Sequence, residues 1–65
     1  MLSESKALQL YEKHAIQWQY CAPHTPGALT QARVCLAIAI VLEDEYRQGE
    51  ARHMIEASGG VADAY

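Results

Sequence analysis

Nine consecutive apolar residues, Val34-Cys35-Leu36-Ala37-Ile38-Ala39-Ile40-Val41-Leu42, occupy the middle of the chain. On a helix such a run leaves no polar side, so it must be covered all round. Upstream, Leu8, Tyr11, Ala15 and Trp18 recur at alternating spacings of three and four. That spacing predicts an amphipathic helix from about Ser3 to Cys21. Ser3 or Ser5 can cap it, and Glu4 favours its positive end. Gln9, Glu12, Lys13 and Gln17 fall largely outside the stripe.

Pro23 ends this helix, because it has no N–H with which to continue. Thr25-Pro26 restarts the chain, with Thr25 as N-cap and Pro26 at the first helical position. A second helix is then expected from about Pro26 towards Gln48. Gly49 is a possible break, although one glycine costs a helix only about 1 kcal/mol and does not compel one. Glu50–Ser58 is helical in composition, which allows a short third helix after Gly49, and Gly59-Gly60 ends it. A β-strand over Val34–Leu42 is the competing expectation, but no partner strand is visible. The predicted class is all-α, an antiparallel two-helix hairpin over residues 1–60, with a flexible tail at 61–65.

The second helix carries small residues at Ala28, Ala32, Cys35 and Ala39. Folded back about the short turn, Leu8 lies level with Ala39, Tyr11 with Cys35 and Leu36, Ala15 with Ala32, and Trp18 with Ala28 and Leu29. Large residues of one helix then meet small residues of the other, as a core requires. One helix cannot also cover the flanks, formed by Leu29, Leu36 and Ile40 on one side and Val34, Ile38, Val41 and Leu42 on the other. Burying each such side chain contributes roughly 1.5–3 kcal/mol. The expected cover is a second copy of the chain, forming a four-helix bundle. Leu29, Val34, Leu36, Ile38, Ile40, Val41 and Leu42 are the expected dimer interface.

Size sharpens this. Sixty-five residues, 51% of them hydrophobic, make one small domain of marginal stability. Such domains are reinforced by disulfides, a metal or oligomerisation. Cys21 and Cys35 are too few for a disulfide framework, and the hairpin register sets them roughly 13 Å apart along the helix. The apolar run is about half of the ~20 residues that span a bilayer. Met1–Glu4 has neither a basic start nor an apolar segment, so the expectation is a cytoplasmic protein with reduced thiols.

Charge argues against nucleic acid. The net charge is −3, and the second half is the acidic one: Glu43, Asp44, Glu45, Glu50, Glu56 and Asp63 face only Arg47 and Arg52. A nucleic-acid binder presents a basic stripe. The turn and Leu29–Arg33 faintly suggest a helix-turn-helix, but the helix turns wholly apolar after Arg33, unlike a recognition helix. A small DNA-binding regulator is therefore a lesser alternative.

Two motifs could bind metal. Cys21-Ala22-Pro23-His24 is a C-x-x-H, but a structural zinc site needs four ligands. Glu50-Ala51-Arg52-His53 has the E-x-x-H spacing of di-iron bundles, which also need carboxylates from other helices. A metal-binding bundle is thus a second alternative, and no cofactor is expected. The run Glu43-Asp44-Glu45 with Arg47 is expected to be a solvated helix face, with Glu43 and Arg47 as an i, i+4 pair. It could also dock a basic partner. No catalytic triad, phosphate loop or nucleophile elbow is present. The sequence therefore points to a non-enzymatic homodimer that binds another protein as a regulator, inhibitor or adaptor. The candidate contacts are Glu43, Asp44, Glu45, Arg47 and His24.

Overall fold

Three capped helices make up the described part of the computed structural model, residues 3–60: α1 (Glu4–Gln19), α2 (Pro26–Val41) and α3 (Glu45–Ala57). The expected tail, 61–65, lies outside the described residues. No strand occurs among the described residues, so Val34–Leu42 is helical. Each helix begins with a side chain that accepts an orphan backbone N–H. Ser3 Oγ takes the amide of Lys6 at 3.1 Å, Thr25 Oγ1 that of Ala28 at 3.2 Å, and Asp44 Oδ1 that of Arg47 at 3.1 Å.

The second helix does not run to Gln48. It ends at Val41, and Gly49 lies inside α3. The break falls at Leu42-Glu43-Asp44, where no glycine or proline marks it. Glu43 adopts φ 55°, in the left-handed region. Its amide donates to the Ile40 carbonyl at 3.0 Å, and the Asp44 amide donates to Ala39 at 3.1 Å. This is a Schellman C-cap, a position that usually falls to glycine. The end of α3 repeats the motif with the expected residue: Gly59 has φ 86°, and the Gly60 amide donates to Ile55 at 2.9 Å. Asp44 then caps α3, so the acidic run is an interhelical turn and not a helix face. The expected Glu43–Arg47 pair is replaced by Asp44–Arg47, at 2.6 Å.

α2 is the central element. α1 and α3 both pack against it, and their own backbones do not approach each other. The small residues Ala28, Ala32, Cys35 and Ala39 are completely buried. Tyr11 packs on this seam, with Ala15 and Trp18 partly buried against it. The α1–α2 register is the expected one: Cys35 Sγ lies 3.8 Å from the Tyr11 carbonyl, and His14 Nδ1 lies 2.6 Å from Gln31 Oε1. The α3 residues Ala51, Met54 and Ile55 close over Leu36. Both cysteines are free.

Two exposed backbone positions test this account. A Cβ added at Gly49 would meet nothing within 4 Å. Gly49→Ala should therefore stabilise the protein by roughly 0.5–1 kcal/mol, by reducing the entropy lost on helix formation. Glu43→Gly should stabilise it by about as much, because a side chain at this φ is strained. Both are read as an increase in the thermal midpoint of the single, unpaired chain. A fall with Glu43→Gly would contradict the left-handed cap.

Candidate interaction surfaces

Long side chains span the gap between α1 and α3 at two levels. At the first, the Tyr11 hydroxyl donates to Glu50 Oε1 at 2.7 Å and lies 3.3 Å from the Arg47 carbonyl. The Arg47 guanidinium sits 5.6 Å from the centre of the Tyr11 ring while its Nη1 holds Asp44. At the second level, Trp18 Nε1 donates to Ser58 Oγ at 2.7 Å, and Ser58 donates to the Met54 carbonyl at 2.8 Å. Ser58 is buried, so this chain satisfies groups that would otherwise be orphaned. Among the described residues, no buried side-chain nitrogen or oxygen lacks a partner.

These contacts set the local electrostatics. Burial, reinforced by the hydrogen bond to Glu50, pushes the Tyr11 hydroxyl well above the ordinary tyrosine range. Burial likewise raises the Cys35 thiol to about 11, helped by the charge of Glu50. The backbone amide of Arg47, and then its side chain, hold the Asp44 carboxyl below its usual range.

Recesses open on the surface among the described residues. One, about 290 Å³, lies between α1 and α3, lined by Tyr11, Glu12, Ala15 and Ile16 on one side and Tyr46, Arg47 and Glu50 on the other. A second, about 240 Å³, lies at the other end of the same gap, beside Trp18, Pro23 and Ser58. A third, about 140 Å³, is lined only by Ala7, Ala37, Ile38 and Val41. Among the described residues, the exposed large apolar side chains are Ile16, Tyr20, Ile40, Val41 and Tyr46, with Val41 74% exposed and Ile40 42%.

The residues expected to pair two chains separate into distinct environments. Leu36 is sealed by α3 within one chain and offers no surface. Leu29 and Ile38 pack against the core and are partly covered. Val34 and Leu42 are also partly covered. Ile40 and Val41 stand open at the C-terminal end of α2. The third helix, expected only after Gly49, starts earlier, at Glu45, because the break before it carries no sequence marker.

The expected partner contacts are not one patch. Glu43–Arg47 and His24 lie beyond opposite ends of α2, whose 16 residues span about 24 Å. Asp44 and Arg47 are occupied with each other and with Tyr11, whereas Glu43 and Glu45 are exposed. His24 also has positive φ, 60°, and its imidazole lies over Gly59. Cys21 Sγ points to the Gln17 carbonyl at 3.3 Å, and Glu50 is engaged by Tyr11. Among the described residues, no three of His, Cys, Asp or Glu form a metal-binding group. No described helix is long and apolar enough to cross a membrane.

The raised Cys35 and Tyr11 values fix a direction of pH dependence. Both groups hold their protons more tightly in the folded chain than in the unfolded one. For Cys35 the stabilisation is complete below the ordinary thiol value of 9.0 and is lost as pH rises from there through about 11, whereas for Tyr11 the loss begins only at the ordinary tyrosine value of 10.0. The urea midpoint should fall over that range, and fall less in Cys35→Ala. An equal fall in both proteins would remove Cys35 as a cause.

Comparison with protein-family models, with curated proteins and with solved structures finds no match to this chain.

Proposed function

We propose that the chain is a non-enzymatic helical protein that pairs with a second copy of itself and acts by binding another protein. A regulator, inhibitor or adaptor fits this description. The observation that carries it is the open end of α2. With α1 and α3 both in place, Ile40 and Val41 remain exposed, and Val41 borders a recess without polar lining. Adjacent exposed aliphatic residues that continue a buried run favour association over solvation. The pairing expected from the sequence is kept, now centred on the C-terminal end of α2. Glu43 and Glu45 beside it are the free charges for a basic partner.

Sedimentation equilibrium tests the pairing. The chain should be dimeric at micromolar concentration, and the double variant Ile40→Glu, Val41→Glu should be monomeric. Both side chains are exposed, so the variant should keep its helical circular dichroism. A wild-type chain that stays monomeric at every concentration overturns the proposal.

A further inference from the structure

The α2–α3 turn combines three properties that rarely coincide. It is only three residues long, Leu42–Asp44, between the two helices. It contains a glutamate held at φ 55°. Its residues also read as helix when taken from the sequence alone, with apolar Val41-Leu42 running into Glu43-Asp44-Glu45-Tyr46-Arg47. A short, strained connection of this kind opposes closure and favours exchange of the segment that follows it.

We infer that two copies of this chain pair by exchanging α3, with Leu42–Asp44 becoming helical so that α2 and α3 run as one helix from Pro26 to Ala57. This rests on the self-association proposed above and states how it occurs. The surface that receives the partner's α3 needs no new complementarity. It is the surface that α3 already fits: the flank around Leu36 that Ala51, Met54 and Ile55 close. The Tyr11–Glu50 and Trp18–Ser58 hydrogen bonds re-form between chains, because α1 stays with its own α2. The straightened helix is about 48 Å long. With one α1 on each, two such helices make a four-helix assembly.

The register places the twofold axis. Gln48 Nε2 reaches the Ala39 carbonyl at 3.5 Å, and Gly60 lies against Leu29, so α3 runs antiparallel along α2 with these residues level. Continued through the turn, that register sets Asp44 level with its own counterpart. The exposed Ile40 and Val41 of both chains then lie three to four residues, about one helical turn, from the axis. Exchange brings them towards each other, an apolar gain that the closed chain lacks. Glu43, Asp44 and Glu45 of both copies also gather there. Their repulsion favours the closed chain at low ionic strength, and salt that screens it favours exchange.

Two substitutions separate the backbone from the charge. Glu43→Gly and Glu43→Ala remove the same carboxylate. Glycine relieves the closed turn, whereas alanine leaves it strained and improves the straight helix. Measured by sedimentation in about 1 M salt, where the screening length is about 3 Å, Glu43→Gly should weaken dimerisation at least about tenfold, since two turns are relieved per dimer. Glu43→Ala should strengthen it. A wild-type dimer mixed from ¹³C-labelled and unlabelled chains gives the direct readout. Isotope-filtered spectra should show interchain cross-peaks between the Trp18 indole and Ser58. A dimer in which these cross-peaks are only intrachain, or in which both variants shift the same way, overturns exchange and leaves self-association standing. A monomer for wild type and Glu43→Ala alike overturns both.

Discussion

A helix without a polar side, placed at the centre of a short chain, is the constraint on which everything else depends. α2 runs from Pro26 to Val41 and becomes wholly apolar after Arg33. Cover must therefore lie on more than one side of it, and among the described residues α1 and α3 supply it. α1 takes the seam of small residues, where Ala28, Ala32, Cys35 and Ala39 admit Tyr11 and Trp18. α3 takes the Leu36 flank. The helices are consequently arranged around α2 and not around a shared axis, and the gap between α1 and α3 is closed by side chains alone.

The same constraint explains an expensive turn. A left-handed non-glycine residue costs about 1–2 kcal/mol. Full burial of a single large aliphatic side chain contributes roughly 1.5–3 kcal/mol. Folding α3 back covers Leu36, Met54 and Ile55 together, so the burial outweighs the strain at Glu43. Asp44 offsets part of the cost by capping α3 and holding Arg47. A residue pair that looks like surface decoration in the sequence thus sustains the turn on which the Leu36 cover depends.

Polar bridging fixes how α3 lies once it has turned. Tyr11 and Trp18 each present an apolar body to α2 and a polar tip to α3, at Glu50 and Ser58 respectively. They tie α3 to α1, and the Gln48–Ala39 and Gly60–Leu29 contacts set its register on α2. Burial of the two tips makes their pairing stringent, since an unpaired polar group there would be costly. The raised Tyr11 and Cys35 values are the electrostatic trace of this tight seam.

Much of the local structure was legible in the residues themselves. The three-and-four spacing of Leu8, Tyr11, Ala15 and Trp18 marked α1, Thr25-Pro26 marked the start of α2, and Gly59-Gly60 marked the end of α3, because caps and periodicity are local physics. The small-residue seam even carried the α1–α2 register. The end of α2 was not legible. Glu43 carries no local signal for a left-handed turn, and Gly49 drew attention to the wrong place, although it sits harmlessly in an exposed helix. Of the candidate contact residues, Asp44 and Arg47 belong to a cap and His24 lies at the far end of α2. Sequence alone determined that Val34–Leu42 must be covered. Only the tertiary structure decided what covers the Leu36 flank, because the benefit of turning at Glu43 arises in contacts between Leu36 and residues some fifteen to twenty positions further along the chain.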